Sequence, residues 1–314
     1  MADRNVSVIT EFILLGLTDN PEMNVVLSVL FLLIYLITVL GNIWIIIIIL
    51  ASAQLHSPTY FFLSQLAFLD FCYSSVLIPK MLVNYIAGQK VISYHGCLLQ
   101  YSFVSLFLTT ECFLLAAMAC DRYLAVCRPL HYKGFMTPTF CIYLVTVSYL
   151  LGFANSLTHL SSLLNLSFCG PNVINHYFCD ILLLFQLSCS NTQRSKVLFT
   201  VLSGVTSVTT FLIVVSSYLG ILLTVVKIHS TRGRNKAISI CASHLMVVTL
   251  FYGTVIFTYL GTSSSYSQDS AKILSVLYTL LLPILNLLIY SVRNREAKAA
   301  MKIIIKRKIL PQRT

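Results

Sequence analysis

Charged side chains are scarce in this sequence. Asp, Glu, Lys and Arg together make up only 10% of its 314 residues, whereas a soluble globular domain carries about 25%. Apolar residues make up 57%, and the mean hydropathy is +0.85. The composition therefore excludes a soluble domain and predicts an integral membrane protein that needs only one domain.

Acidic residues are few in particular: 10 Asp and Glu stand against 21 Lys and Arg, and the net charge is +11. This excess does not predict nucleic-acid binding, because the basic residues are concentrated on one side of the predicted membrane. They are Arg122, Arg128, Lys133, Lys227, Arg232, Arg234, Lys236 and those after Tyr290. The pattern follows the positive-inside rule and predicts an inner face that lies against anionic lipid.

Other features are missing as well. Residues 1–24 are polar and contain no apolar core of a signal sequence, so we expect no cleavable signal peptide. No internal repeat is present, and only Asp70 and Glu111 place charge inside apolar segments, which disfavours a transporter. His159 and His244 have no nucleophile or second ligand near them in the sequence, which disfavours an intramembrane enzyme.

Seven apolar segments are present, each long enough to span a bilayer as a helix. They are Val25–Leu50, Pro58–Val83, the segment from Cys97 that ends in Met118–Tyr132, Phe140–Leu163, Val197–Val226, Lys236–Gly261 and Ala271–Val292. An odd number of spans puts the amino end outside and the carboxyl end inside. The sequence thus predicts an all-α, seven-helix membrane bundle over residues 25–292, preceded by an extracellular segment over 1–24.

Residues 293–314 form the predicted cytoplasmic tail. Its apolar residues recur at spacings of three and four, at Ala297, Ala300, Met301, Ile304 and Ile305, with Lys and Arg around them. This pattern predicts a short amphipathic helix that lies on the inner leaflet.

Three acidic residues fall in or beside the apolar segments. Asp121 and Arg122 are adjacent at the inner end of the third segment, where they are expected to pair or to face protein and water, because a charge in lipid costs roughly 2.5–3.5 kcal/mol. Asp70 and Glu111 lie at matching depth in the second and third segments. Two acids so placed predict a shared site for a cation or a proton, and simple protonation or hydrogen bonding of both is the alternative.

Four cysteines fall on the predicted outer side: Cys97, Cys169, Cys179 and Cys189. An oxidising compartment favours disulfides, and four cysteines allow three connectivities. A metal site made of His176 with the last three of these cysteines is the rival, although no paired Cys-x-x-Cys motif is present. The other six cysteines are expected to act as small apolar residues. Two glycosylation sequons, at Asn5 and Asn165, also fall outside.

Six motifs occur in order along the chain. They are Gly41-Asn42; Pro58–Ser64 with Asp70; Met118–Tyr132; Ser217-Tyr218; Lys236–Leu245; and Pro283–Tyr290 followed by Ser291–Asn294. With these motifs the chain resembles the odorant receptor family of rhodopsin-like G-protein-coupled receptors over nearly all residues. The long, cysteine-rich second outer loop is similar to that of the tetrapod-type class.

Three positions depart from the family pattern. Cys120 stands where tyrosine is usual, and Thr59 stands where methionine is usual. Leu287 replaces the proline of the Asn-Pro-x-x-Tyr motif. Because proline removes a helix hydrogen bond and allows a bend, the seventh helix must rely on Pro283 for any bend.

The resemblance implies a function and its parts. The implied disulfides are Cys97–Cys179 and Cys169–Cys189. The implied switch toward the G protein comprises Asp121, Arg122, Tyr123, Tyr218, His244, Asn286 and Tyr290. Arg122 would pair with Asp121 at rest and, once released, reach the partner while the two tyrosines hold it; a static ion pair that caps the helix is the alternative.

The implied partners are a small odorant, membrane lipid and a stimulatory G protein of the Golf or Gs type that raises cyclic AMP. The implied location is the plasma membrane of sensory cilia, with the amino end outside. No enzymatic activity is expected, and no cofactor is expected apart from a possible sodium ion at Asp70 and Glu111. A rhodopsin-like receptor for a non-volatile ligand outside the olfactory system is the alternative function.

The ligand pocket is expected among the outer halves of the third, fifth, sixth and seventh helices, where helical spacing selects one face of each. The predicted lining is Val104, Ser105, Leu108, Thr109, Cys112, Leu202, Ser203, Thr206, Tyr252, Val255, Ile256, Tyr259, Ser275, Tyr278 and Thr279. This lining is apolar with hydroxyl groups and has no charge. It predicts a small, neutral, mostly apolar agonist with one or two hydrogen-bonding groups.

Overall fold

The part of the chain that the structure describes is a bundle of long apolar helices. A computed structural model describes residues 9–169, 171–261, 272 and 275–293. Six of its helices are long and apolar enough to cross a membrane: α1 (Pro21–Ala51), α2 (Pro58–Ile86), α3 (Tyr94–Cys127), α4 (Pro138–Leu164), α5 (Gln193–Lys227) and α6 (Thr231–Gly261). A π-helical turn, Leu277–Leu281, leads into α7 (Leu282–Arg293). This architecture confirms the predicted fold class.

Two predicted features lie outside the described residues. These are the amphipathic inner-leaflet helix with its stripe at 297–305 and the sequon at Asn5. Asn165, the second sequon, is exposed at the end of α4, where its Nδ2 donates to the Ser161 carbonyl at 2.8 Å. Its glycosylation stays a prediction.

Proline and a polar cap mark where α1 and α4 begin. Pro21 and Pro138 lie in the first helical turn, where the missing N–H of proline costs no hydrogen bond. Just before them, the side chains of Asn20 and Thr137 accept hydrogen bonds from backbone N–H groups of that turn. The helices therefore begin a few residues before the predicted spans, because capping rather than hydropathy sets their ends.

Helix α3 is the centre of the bundle. It contacts α2, α4 and α5 extensively and is buried over most of its spanning part. The outer helices instead expose apolar side chains such as Leu36, Leu150 and Leu212. These exposed faces suit a lipid solvent, since lipid tails are as apolar as leucine.

Glycine brings two pairs of helices close together. A Cβ atom at Gly41 of α1 would overlap the side chain of Leu287 on α7, and one at Gly152 of α4 would lie 2.8 Å from the Leu106 carbonyl oxygen of α3. Leu287, the residue in the place of the usual proline, thus fills the gap between α1 and α7. The second contact holds the outer half of α4 against α3.

A small β-sheet covers the outer end, which the all-α prediction did not include. Strand β1 (Glu11–Leu14) pairs antiparallel with β2 (Val91–Ser93) and parallel with β3 (Val173–Ile174). Phe12 and Leu14 of β1 are buried against the bundle. A strand of four residues gives too short an alternation to stand out in a polar segment, so only its tertiary partners reveal it.

Lys90 secures the segment that joins β1 to α1. Its Nζ donates to the carbonyl oxygens of Leu15 and Thr18 at 2.8 and 3.0 Å, and it lies 2.8 Å from a carboxylate oxygen of Asp19. The hydrogen bond and charge of Lys90 lower the pKa of Asp19. Residues 15–19 are therefore part of the folded outer surface.

Candidate functional site

The second outer loop is held to the bundle by two disulfides. Cys97 in the first turn of α3 is joined to Cys179, with their Cα atoms 5.5 Å apart, and Cys169 is joined to Cys189 at 6.0 Å. This is the pairing that the resemblance implies. The rival metal site is wrong for this structure, because a disulfide leaves no thiolate to bind a metal.

Residues His176 and Tyr177 of this loop bind residues 275–279, which lie just before α7. His176 Nε2 lies 3.1 Å from Ser275 Oγ, which is 3.0 Å from the Tyr177 hydroxyl. The Tyr177 hydroxyl also lies 2.6 Å from Thr279 Oγ1. We call these four residues the loop clasp.

Burial keeps the ionisable members of the loop clasp neutral. Desolvation, with the positive charge of Lys272 as a second cause, lowers the pKa of His176 to about 3. Burial also raises the pKa of Tyr177. Both groups therefore remain uncharged hydrogen-bonding partners at neutral pH.

A cavity of about 130 Å³ lies below this loop, between α3, α4, α5 and α6. Its lining is mostly apolar, with several hydroxyl groups. The lining residues are Tyr101, Val104, Ser105, Leu108, Thr109, Cys112, Asn155, Phe178, Asp180, Ile181, Leu182, Phe199, Ser203, Thr206, Ser207, Phe251, Thr254, Val255 and Leu282. The cavity is small beside the roughly 300–1,000 Å³ of drug-sized pockets, which favours a small ligand.

The cavity brings together eight of the residues that the sequence predicted. They are Val104, Ser105, Leu108, Thr109, Cys112, Ser203, Thr206 and Val255. All five of the predicted α3 residues line this cavity, because helical periodicity fixes which side of a buried helix faces inward.

Five other predicted lining residues lie elsewhere. Ser275 and Thr279 belong to the loop clasp, and Leu202 is half-buried beside the cavity. Ile256 is 44% exposed on the outside of α6. Tyr252 is buried, and its hydroxyl donates to Thr210 Oγ1 at 2.8 Å. The second outer loop occupies the position next to Ser275 and Thr279, and the rotation of α6 turns Ile256 outward. Helical periodicity encodes neither of these.

The side chains of Tyr259, Tyr278 and Tyr290 lie outside the described residues. Their predicted roles stay predictions.

The sequence reasoning missed the wall that α4 and the loop provide. Asn155 of α4 lines the cavity, as do Phe178 and Asp180–Leu182. An asparagine inside an apolar span is the signal that could have found Asn155, since such a residue usually bonds to a neighbouring helix. The loop residues carry no such signal.

Asp180 corrects the prediction that the lining carries no charge. Its carboxylate caps the short helix Ile181–Leu187, accepting from the Leu182 N–H at 2.8 Å and the Leu183 N–H at 3.4 Å. Desolvation raises the pKa of Asp180, against the effect of these two hydrogen bonds. The carboxyl group thus already has partners in the protein.

The buried acid of α2 lies against α7. Both carboxylate oxygens of Asp70 lie 3.2 Å from Asn286 Nδ2. Asn286 Oδ1 is buried and accepts no hydrogen bond within the described part of the chain. Glu111 of α3 is half-buried. Two carboxyl groups and an unpaired amide oxygen form an oxygen-rich donor set of the kind that hard cations prefer.

Asp121 does not pair with Arg122 in this structure. One oxygen of its carboxylate accepts from the Thr59 hydroxyl at 2.7 Å, and the other accepts from the Tyr132 hydroxyl at 2.6 Å. Arg122 Nε is buried and, among the described residues, has no hydrogen-bond acceptor. The expected resting ion pair is therefore replaced by hydrogen bonds to α2 and to the short inner helix Tyr132–Phe135.

His244 connects α3, α5 and α6 above the inner end. Its Nε2 lies 3.1 Å from the Leu115 carbonyl oxygen, and its Nδ1 lies 2.8 Å from the Tyr218 hydroxyl. A carbonyl oxygen can only accept, so Nε2 carries the hydrogen and Nδ1 accepts from Tyr218. Tyr218 thus stacks on and bonds His244 rather than reaching Arg122.

Tyr123, the last residue of the predicted inner motif, packs on α5. A Cβ atom at Gly220 would lie 2.5 Å from its ring, so the ring fills the space that this glycine leaves. Tyr123 is a packing residue in this structure.

Comparison with known proteins adds an independent finding. A family model described as Olfactory receptor matches residues 31–308. The chain is 50% identical over 302 residues to Olfactory receptor 8U3 of Mus musculus, covering 96% of this chain and 95% of that protein. It is 47% identical over 308 residues to Olfactory receptor 5AR1 of Homo sapiens, and 49% identical over 308 residues to Olfactory receptor 5J2 of Homo sapiens. Each of these two matches covers 98% of this chain and 99% of the relative.

Proposed function

Because the chain belongs to the olfactory receptor family of G-protein-coupled receptors, we propose that it binds a small, neutral, mostly apolar volatile odorant and activates a stimulatory G protein of the Golf or Gs type. Activation then raises cyclic AMP. As a member of this family, the protein is a receptor rather than an enzyme and spans the plasma membrane several times.

The cavity beneath the second outer loop is the observation that carries the ligand proposal. It is small, Phe178 and the start of the helix that Asp180 caps contribute to its lining, and most of that lining is apolar. A neutral ligand fits this lining, since the only carboxyl group among the described lining residues already accepts two backbone hydrogen bonds.

The contacts of His244 offer a route from the cavity to the inner face. Cys112 lines the cavity, and Leu115, one turn further along α3, accepts the hydrogen bond of His244. A ligand that shifts α6 against α3 breaks this bond and releases Tyr218. Arg122 then reaches the G protein, with Asn286 and Tyr290 of α7 adjusting beside it. Two such arrangements form the equilibrium that an agonist biases.

We further infer that a sodium ion binds between Asp70 and Glu111 with the Oδ1 atom of Asn286 as a third ligand. The unpaired amide oxygen supports a cation more than a shared proton, because a proton between the two acids leaves that oxygen unsatisfied. When bound, the ion supplies a positive charge that links α2, α3 and α7.

Thermal unfolding of the purified receptor tests the sodium site. Sodium chloride should raise the unfolding temperature above that in choline chloride of the same ionic strength. Asp70→Asn and Glu111→Gln should each abolish the difference, and Asp19→Asn on the outer surface should keep it. Equal stabilisation of all four proteins by sodium contradicts the site.

A cyclic-AMP reporter tests the function itself. Cells that express the receptor are screened with volatile compounds, beside cells with empty vector and cells that lack stimulatory α subunits. Arg122→Ala should remove the response, whereas Arg128→Ala, which loses the same charge from an exposed position, should keep it. Responses that survive Arg122→Ala or loss of the α subunits contradict the switch or the coupling, and responses only to non-volatile ligands contradict the odorant class.

A further inference from the structure

Three polar side chains meet on the wall of the cavity where α4 faces α3. Asn155 Nδ2 donates to Thr109 Oγ1 at 2.9 Å and lies 3.4 Å from Ser105 Oγ. All three residues line the cavity. The close approach at Gly152, one turn away on α4, holds Asn155 within reach of α3.

The hydrogen bonds of this cluster are incomplete. Asn155 Oδ1 is buried and accepts no hydrogen bond from any described residue. The oxygens of Ser105 and Thr109 accept from Asn155, and within the described part of the chain their own hydrogens reach no acceptor. The wall therefore presents an unused acceptor beside two unused donors, although buried polar groups are normally paired.

Two polar residues next to the cavity lining are already paired. Ser156, the next residue of α4, donates to the Ser102 carbonyl at 2.6 Å. Thr210, below the cavity, donates to the Thr206 carbonyl and accepts from Tyr252. Among the described lining residues, this cluster is the one that holds a buried acceptor without a hydrogen-bond partner, and a ligand can use it without breaking an existing bond.

We propose that Asn155, Ser105 and Thr109 form a hydroxyl anchor, so that the preferred agonists are neutral alcohols. A ligand hydroxyl donates to Asn155 Oδ1 and accepts from Ser105 or Thr109, which satisfies both sides of the wall. An aldehyde, ketone or ether can only accept and leaves the amide oxygen unpaired, and an ammonium group can only donate. This inference rests on the proposed function, since it names the chemical class that the same cavity prefers.

The test compares compounds that share a carbon chain and differ in one group. Straight-chain alcohols of six to ten carbons are applied with the matching aldehydes, methyl ethers and amines, and the half-maximal concentration in the cyclic-AMP reporter is measured for each. The alcohol of the best chain length should act at about tenfold lower concentration than its aldehyde and ether, since one net hydrogen bond is worth about a factor of ten.

Point variants test whether these residues bind the ligand hydroxyl or only pack against neighbouring helices. Asn155→Leu, which keeps the side-chain volume, should weaken the alcohol about tenfold and leave the aldehyde unchanged, so that the preference disappears. Ser105→Ala combined with Thr109→Val should weaken alcohol and aldehyde alike, because both lose their donors. Thr158→Val, which loses a hydroxyl that bonds within α4, should change nothing, and surface staining confirms equal expression.

Two outcomes overturn the inference in distinguishable ways. Activation by aldehydes or ethers at concentrations equal to or below those of the alcohols, or an alcohol preference that survives Asn155→Leu, overturns the hydroxyl anchor and leaves the proposed function standing. A receptor that reaches the surface and responds to no member of the series, nor to the broader set of volatiles, overturns the proposed function and the anchor together.

Discussion

At the scale of single residues, Thr59 changes the surroundings of the inner arginine. Its hydroxyl and that of Tyr132 each take one oxygen of the Asp121 carboxylate. Burial and the adjacent Asp121 carboxylate raise the pKa of Tyr132, so Tyr132 remains a donor. Arg122 is left without its neighbour as a partner, and Thr59, which replaces the usual methionine, is part of the reason.

Thr59→Met should therefore lower the activity of the receptor without agonist. Methionine cannot donate to Asp121, so one carboxylate oxygen becomes available to Arg122 and favours the resting state. A hydrogen bond to a charged group contributes about 1.5–3 kcal/mol, which corresponds to a basal signal reduced about tenfold or more. The measurement is agonist-independent cyclic AMP normalised to surface receptor. Thr59→Ser should behave as the wild type, and an unchanged or higher basal signal in Thr59→Met contradicts this role.

The loop clasp predicts that the stability of the receptor decreases in acid. Folding lowers the pKa of His176 from about 6.5 to about 3, so below pH 6.5 the unfolded chain binds a proton that the folded chain refuses. Above pH 6.5 the imidazole is neutral in both the folded and the unfolded state. The free energy of unfolding then falls as the pH drops from 6.5 toward 3. At pH 5 the free energy of unfolding is lower by about 2 kcal/mol than at neutral pH.

Thermal unfolding in nanodiscs between pH 7.5 and 5 measures this loss. His176→Asn should reduce the slope of stability against pH, because asparagine keeps a hydrogen-bonding group and does not titrate. His95→Asn, on the exposed outer surface, is the matched control and should keep the slope. Identical slopes for the wild type and His176→Asn would show that another group is responsible.

At the scale of elements, the packing of α4 on α3 determines the position of one wall of the cavity. Gly152 lets the two backbones approach until a Cβ atom would meet the Leu106 carbonyl oxygen. Backbone cannot yield as a flexible side chain does. The position of Asn155 therefore depends on Gly152, which does not itself line the cavity.

Gly152→Ala should push α4 outward, destabilise the receptor by about 1–3 kcal/mol and weaken the response to agonist. Gly204→Ala on α5 is the matched control, since a Cβ atom there meets nothing within 4 Å. Thermal unfolding and reporter dose–response curves are compared for both variants. Equal behaviour of the two would contradict a packing role for Gly152.

Several elements at the outer end hold the second outer loop in place. Two disulfides, the loop clasp and the β1 strand all hold the second outer loop over the cavity, and β1 reaches both this loop and β2. The π-helical turn Leu277–Leu281, which includes Thr279 of the loop clasp, is followed two residues later by Pro283 in α7. Proline interrupts helical hydrogen bonds, so α7 has a local irregularity although Leu287 replaces the usual proline.

At the scale of the whole molecule, the chain places an apolar cavity at one end and a basic face at the other. The outer end carries the disulfides and the sheet, and the inner end carries Arg122, Arg128 and Lys133. Helix α3 runs through the centre and contributes to both. In the proposed mechanism, signal transfer is a relative movement of helices around α3.

Seven spans require the two termini to lie on opposite sides of the membrane. In intact cells, an epitope tag at the amino end should be accessible to antibody, and a tag at the carboxyl end should become accessible only after permeabilisation. A receptor with a tag in the second outer loop serves as the accessible control. Accessibility of both termini in intact cells contradicts the bundle on which every other proposal depends.

The sequence by itself determined the membrane class, the long apolar helices and the inward side of α3, and it predicts which face of the bundle lies inside. These follow from hydropathy, charge bias and helical period, which are properties of neighbouring residues along one element. The eight predicted residues that the structure brings together in one cavity were found in this way. So were the motif positions that carry the resemblance to the family.

Only the tertiary structure decided which elements meet at the site. It placed Ser275 and Thr279, which were predicted to line the pocket, in the loop clasp. It also added Asn155 and Asp180 to the cavity lining and gave Asp121 the hydroxyls of Thr59 and Tyr132 as partners. Each of these contacts joins residues distant in the chain, and it depends on loop path, helix rotation and the approach that glycine permits. No local pattern records such quantities, because they are set by how whole elements pack.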